Sequence, residues 1–200
     1  IRICLVGSEM CIRDRSKCNT DVVSAYDIDV LLPVSTYLKA EKMCKDEYDL
    51  VYPFGFGTQE NQVKWQKKVF ASDELVSDFL NQNFDFSIFE NHSQKDRAQW
   101  GHAQFFKRTS YIEGGMENEN FKAWGPEDEE KHYRFPKLGY NIGRVIDWVY
   151  HLEHSRGDDS ERTNIYFRDN LKLMEDIRIL SEEELRNYYN TQEYLKKYHD

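Results

Sequence analysis

Three short stretches of this sequence carry side chains able to bind a cation, a phosphate or a sugar. Asp27 and Asp29 follow 21–26, a short, apolar, partly β-branched run that predicts a buried strand. Strand periodicity points carboxylates two residues apart to the same side. Ligands of open α/β sheets sit beyond the carboxyl ends of the strands. Two acids there can hold a divalent cation and a ribose hydroxyl, although such a pair is also common in ordinary turns. The second stretch is Trp124-Gly125-Pro126, followed by four acids in succession, Glu127, Asp128, Glu129 and Glu130. Acids in a first helical turn complement the helix dipole, which accounts for the four carboxylates but not for Trp124. An indole face can carry a sugar ring, and crowding four carboxylates raises the pKa of at least one, as a general base requires. The third is the pair His151 and His154. In a strand, residues three apart face opposite ways. In a turn they can converge and, with Asp29, complete a cation site. Read alone, such a pair is more often structural or incidental.

The elements that must position these groups alternate between strand and helix. Besides 21–26, strands are predicted at 48–52, 102–107, 141–145 and 148–152. Ser35 or Thr36 is placed to cap a helix running through Cys44. A short helix at 109–114 ends in Gly114-Gly115. Pro126 suits the first position of a helix that reaches about Leu138 and stops at Gly139. Ser181 with Glu184 forms a capping box before a helix carrying Leu185, Tyr188, Tyr189 and Leu195. Residues 55–98 are polar and read as an insertion or mobile loop, with an amphipathic helix at 72–80. The alternation predicts an α/β fold.

Length and composition bound the rest. The 200 residues suit one domain with a sizeable core. A net charge of -9 argues against nucleic acid or an anionic membrane as the main partner. A phosphate ligand then needs local help from a metal or a helix N-terminus. Aromatic residues make up 14% of the chain, a share that can serve sugar stacking as well as core packing. The four cysteines, Cys4, Cys11, Cys18 and Cys44, form no disulfide framework and suit a reducing compartment. No apolar run is long enough for a transmembrane segment. The segment Ile1–Arg15 resembles in wording a peptide translated from sequencing-adaptor DNA. It is expected to be non-native, so that the natural chain starts near Ser16 within a domain incomplete at its N-terminus.

Taken in order, these motifs resemble the catalytic region of the β-1,4-galactosyltransferase family and related bacterial glycosyltransferases of the GT-A fold. Tyr26 through Pro33 is similar to the family's acidic strand end and following proline. Trp100-Gly101-His102 is similar to an aromatic-Gly-Gly strand start near the donor sugar. Gly115 to Asp128 resembles a glycine and asparagine-rich loop leading into Trp-Gly-Gly-Glu-Asp, and His154-Ser155-Arg156 resembles the segment after the last metal ligand. The resemblance implies a GT-A-like mixed sheet flanked by helices, with a catalytic domain over 16–160 and C-terminal helices over 161–200. It implies Asp29, His154 and His151 as metal ligands, Asp27 on the nucleotide ribose and Asp128 as general base. Glu127, Trp124, Gly125, Trp100 and Gly101 would bind acceptor or sugar. The implied cofactor is Mn²⁺ or another divalent cation, since mixed carboxylate and imidazole donors suit Mn²⁺ better than Mg²⁺. The implied partners are a nucleotide-sugar donor, such as a UDP-sugar, and a glycan or other hydroxyl acceptor, in a bacterial cytoplasm or peripheral to the membrane. Two residues depart from the family: Pro126 and His102 each stand where it has glycine. A donor of the N-acetylhexosamine type, as in the polypeptide N-acetylgalactosaminyltransferases, fits the same motifs. A silent carbohydrate-binding module or a scaffold domain would keep Trp124 while needing neither Asp29 nor His154.

Overall fold

The computed structural model describes residues 19–63, 84–90, 93–152 and 157–196. Their strands form two four-stranded mixed sheets, where the sequence predicts one mixed sheet. The first has the order β1 (Val22–Tyr26), β6 (Ala103–Lys107), β3 (Leu50–Tyr52), β7 (Ile142–Arg144). Strand β6 is antiparallel to both neighbours, and β3 is parallel to β7. The second has the order β2 (Val30–Leu31), β8 (Val149–Leu152), β4 (Gly57–Val63), β5 (Ser93–Ala98). Here β8 is antiparallel to β2 and parallel to β4, and β4 is antiparallel to β5. The helices are α1 (Val34–Asp46), α2 (Ser87–Glu90), α3 (Arg108–Glu113), α4 (Glu127–Lys137), α5 (Phe167–Ile179), α6 (Glu182–Asn190) and α7 (Glu193–Lys196).

Strand β6 is buried from Ala103 to Phe106 because both faces of the first sheet are covered. Phe105 meets Tyr37 of α1 with ring centroids 5.9 Å apart, and Phe106 meets Phe135 of α4 at 5.5 Å. Successive strand side chains point to opposite faces, so α1 and α4 lie on opposite sides. Helix α1 turns Ala40 and Cys44, one helical turn apart, into the core.

Two local expectations change. Pro33, rather than Ser35 or Thr36, occupies the N-cap of α1. The Thr36 hydroxyl instead donates to Asp147 Oδ2 at 2.7 Å. Strands β4 and β5 occupy the two ends of the polar stretch read as a loop. Their Gly-Thr-Gln-Glu-Asn-Gln-Val and Ser-Gln-Lys-Asp-Arg-Ala sequences lack the hydrophobic alternation by which strands are recognised. The helix predicted at 72–80 lies outside the described residues. The capping box of α6 forms as its sequence requires: Ser181 N–H donates to Glu184 Oε2 at 2.7 Å, and Glu184 N–H donates to Ser181 Oγ at 3.2 Å.

Three of the four acids that open α4 turn to separate cationic partners. Helical geometry turns successive residues about 100° apart, so Asp128, Glu129 and Glu130 reach different partners. Glu129 pairs with Arg178 at 3.2 Å, and Asp128 pairs with Lys131 at 3.0 Å. Glu130 and Arg134, both fully buried, form an ion pair at 3.0 Å. The Arg134 guanidinium also donates to the carbonyls of Gly114 and Met116 and lies over the Tyr189 ring at 4.1 Å. The Tyr189 hydroxyl completes the set by donating to Glu130 Oε1 at 2.6 Å. Gly115 is required where loop and ring meet: its φ is +94°, and an added Cβ would stand 2.3 Å from the Tyr189 ring.

A buried ion pair contributes little beyond a hydrophobic pair of the same volume, but half of one is costly. Arg134→Met should leave Glu130 without its countercharge and lower the unfolding free energy by about 3–5 kcal/mol, read as a lower urea midpoint at unchanged m value. The double variant Glu130→Met, Arg134→Met should recover most of that loss. A double variant no more stable than the single one would show that charge balance is not what the pair supplies.

Candidate functional site

The segment between β1 and β2 is a tight turn. Val30 N–H donates to the Asp27 carbonyl at 3.1 Å, and the Tyr26 hydroxyl donates to the Val30 carbonyl at 2.9 Å. Asp27 and Asp29 therefore sit on a turn beyond β1, and strand alternation is not what aligns them. Two backbone bonds tie this turn to its neighbours. Asp27 N–H donates to the His102 carbonyl at 2.9 Å, and Leu152 N–H donates to the Asp29 carbonyl at 2.8 Å. The β2–β8 register places Val30 opposite His151. These connections bring His151 Nε2 to 3.6 Å from Asp29 Oδ2.

A cleft of about 360 Å³ opens beside the turn. It is lined by Asp27, Asp29, His102, Glu127, Asp128 and His151, with Gly101, Trp124, Ile28 and Ser160 completing its wall. Groups from all three sequence stretches thus share one cavity. His154 lies outside the described residues, so the predicted set of Asp29, His151 and His154 is described only as the Asp29–His151 pair. Among the described residues no group of three or more His, Cys, Asp or Glu side chains could hold a metal ion. The pair itself fits a divalent cation: two bonds of roughly 2.1 Å span the separation of its donor atoms. Carboxylate oxygen with imidazole nitrogen is a donor set suited to Mn²⁺ or Zn²⁺, leaving other positions for oxygen ligands.

The start of α4 forms the opposite wall. Asp128 Oδ1 accepts from Gln104 Nε2 at 3.1 Å and pairs with the buried Lys131. A Cβ at Gly101 would lie 3.1 Å from Asp128 Oδ2, so glycine keeps this approach open. Trp124 stacks on Phe167 with rings 5.6 Å apart and 12° from parallel, which fixes one face of the indole. Its backbone is held by Asn164, whose Nδ2 donates to the Trp124 carbonyl at 2.9 Å. Trp100 and Gly125 do not line the cleft. Trp100 packs on His132 at 5.6 Å, and Gly125 packs on Asn170, whose amide leaves no room for a Cβ.

The carboxylates resist ionisation together. Burial first, then the neighbouring Asp128, push Glu127 from its ordinary 4.5 up to about 8, against the pull of Lys131. Burial, then Asp128, push Asp27 up to about 6, opposed by His102 and His151. The acid whose pKa is raised to about 8 is thus Glu127, and burial rather than crowding of four acids is the main cause. Glu127 Oε2 is buried and has no hydrogen-bond partner within the protein.

His102 joins the site at φ +71°, a backbone conformation that favours glycine. Ser160 and Gln104 carry no motif that marks them as site residues, whereas His102 belongs to the Trp100-Gly101-His102 stretch. Lys131 had a signal in its spacing, three residues after Asp128 on a helix.

The sign of the Glu127 effect on stability follows from its raised pKa. Between pH 4.5 and 8 the native state keeps a proton that the unfolded chain has released, so the carboxyl costs more stability as the pH rises towards 8. Glu127→Gln removes this cost. The variant should exceed the parent in unfolding free energy by about 4 kcal/mol at pH 8 and by almost nothing near pH 4, measured by urea denaturation. An equal gain at both pH values would assign the benefit to packing instead.

No protein-family model matches this chain, and no curated protein matches it. Solved structures that it is similar to include the crystal structure of GalNAc-T7 with UDP, GalNAc and Mn²⁺, at a TM-score of 0.45 and 14% identity. That similarity covers 93% of this chain and 39% of the other, so the chain spans well under half the length of the protein it matches.

Proposed function

We propose that this chain carries the catalytic cleft of a metal-dependent, inverting glycosyltransferase that moves a sugar from a nucleoside diphosphate to an acceptor hydroxyl. The observation that supports this reading is the meeting of Asp27, Asp29, His151, Glu127 and Asp128, drawn from three separate segments, in one cleft beside Trp124. Asp29 and His151 would hold the cation, together with His154 if the family pattern extends to it. The cation supplies positive charge to offset the diphosphate that leaves. Asp27 hydrogen-bonds a ribose hydroxyl. Gly101 leaves space for the donor sugar against Asp128.

Asp128, oriented by Gln104, accepts the proton of the acceptor hydroxyl. The acceptor oxygen forms its bond to the anomeric carbon as the bond from that carbon to the diphosphate oxygen breaks, and the leaving oxygen keeps the electron pair. One displacement inverts configuration and needs no covalent enzyme intermediate. Glu127, with its pKa near 8, is mostly protonated at pH 7 and donates a hydrogen bond to an acceptor oxygen. The free face of Trp124 carries a sugar ring. Galactose or an N-acetylhexosamine is the sugar that the motif resemblance favours.

The test is release of nucleoside diphosphate from a panel of UDP-sugars with a mixture of glycan acceptors, with and without Mn²⁺. The parent should turn over at least one donor only with the metal. Asp128→Asn should lower kcat by about 10²–10⁴-fold while UDP binding persists. His151→Ala should raise the Mn²⁺ concentration needed for half-maximal rate by about 10–100-fold. Release from no donor under any condition overturns the transferase reading, and full activity in Asp128→Asn removes the base from that residue.

A further inference from the structure

Behind the base proposed above lies a buried cation. Lys131, whose side chain is 3% exposed, pairs with Asp128 Oδ1 at 3.0 Å and with Glu117 Oε2 on the loop after α3. Gln104 Nε2 donates to the same Asp128 oxygen at 3.1 Å. A carboxylate oxygen has about two acceptor sites, so Oδ1 is filled. Oδ2 lies against Gly101, where an added Cβ would stand 3.1 Å from it, and both residues line the cleft. Burial, which alone lowers the proton affinity of Lys131, is outweighed first by Glu117 and then by Asp128. The ammonium is held above its ordinary 10.5 and stays charged. Nothing in the transfer chemistry above uses Lys131 or Glu117.

We infer that Lys131 and Glu117 are positioning residues for Asp128. They present its Oδ2 to the cleft as an anion that takes a proton without leaving a buried charge unpaired. The role of Asp128 as base rests on the transferase reading; the charge arrangement itself does not. Before transfer one ammonium serves two carboxylates. Once Asp128 has taken the acceptor's proton it is neutral, and the ammonium keeps Glu117. Paired with Asp128 alone, Lys131 would lose its countercharge at that moment, and an unpaired buried ion is costly. The base would then resist the proton. Without Lys131, Glu117 and Asp128 would face each other as like charges, and one of them would hold a proton in advance. Two carboxylates around one lysine avoid both faults.

Other titratable groups face the same set from each neighbouring element. Asp27, on the turn after β1, and Glu127, on the same helix, both repel a negative Asp128, and Lys131 offsets them. His102 and His151 stand beyond Asp27 and attract it. From β3 comes Tyr52, whose hydroxyl is pushed above its ordinary 10 by burial and then by Asp128, so it stays neutral. At the far end Tyr111 donates to Glu117 Oε1 at 3.5 Å, and Arg134 also attracts Glu117. Glu117 is 13% exposed at its side chain and Asp128 37%, so the outer end of the set is the one that meets the cleft.

Two variants should act in opposite directions, which a merely structural role would not produce. The full chain, labelled with carbon-13 at its aspartate carboxyls, is titrated by NMR without metal or donor, and Asp128→Asn assigns the signal of residue 128. In Lys131→Met the midpoint of that signal should lie about 1–3 pH units above the parent's, because the cation is gone. In Glu117→Gln it should lie about 1 pH unit below, because the lysine then serves Asp128 alone. Circular dichroism confirms the fold of each. Should Lys131→Met fail to fold, Glu117→Gln, which keeps the size of its side chain, carries the test by itself. Where transfer is measurable, the acid limb of kcat should move in the same two directions, with the plateau lower in Glu117→Gln because a more tightly held anion is a weaker base. Midpoints that stay with the parent, or that move the same way in both variants, overturn the inference. Midpoints that separate as expected in a chain that turns over no donor sink the transferase reading and keep the charge arrangement.

Discussion

The buried ion pair between Glu130 and Arg134 fixes the roll of α4, and most of what surrounds the cleft follows from that. A charge taken out of water tolerates few geometries, because losing its partner costs several kcal/mol. Arg134 forms an ion pair with Glu130, donates to two carbonyls of the loop after α3 and lies over the face of Tyr189 from α6. The helix, the loop and the C-terminal helices are therefore held as one unit. With residues 130 and 134 facing inward, helical periodicity leaves Glu127 and Asp128 at the rim, where the first turn meets the cleft. Lys131 extends the same network by pairing with Asp128 and with Glu117.

The other wall depends on backbone bonds more than on side chains. The turn at 27–30 carries an exposed Ile28 at its tip and two acids beside it, a composition that does not hold its own position. It is held by hydrogen bonds from Asp27 N–H to the loop before β6 and from Leu152 N–H to Asp29. Both sheets thus meet at this turn, one through β1 and the other through β2. The cleft they border collects negative groups in a protein already acidic, and burial first, then the neighbouring Asp128, raises the pKa values of Asp27 and Glu127. A positive ligand between these groups would relieve that repulsion.

Several features were legible in the chain. The β-branched run of β1, the apolar β6, the Pro–Gly limits of α4 and the capping box of α6 all follow local rules that their residues satisfy without help. The Trp-Gly-Pro-Glu-Asp stretch and the paired aspartates were visible as chemistry. Strands β4 and β5 were hidden because their pairing relies on backbone groups, which every sequence has. The two-sheet arrangement was hidden too, since strand order and register depend on partners far apart in the chain.

Local sequence alone determined the α/β alternation, the acidic turn, the helix with four acids at its start and the types of group able to bind a cation or a sugar. Tertiary structure decided which of them meet. It put His151 beside Asp29, gave Glu127 the raised pKa, turned Glu129 and Glu130 away, and withdrew Trp100 and Gly125 from the cleft wall. The physical reason is that propensities and caps act over a few residues, whereas burial and ion pairing depend on distances through space. Those distances exist only once the sheets have chosen their register and α4 has buried its charges.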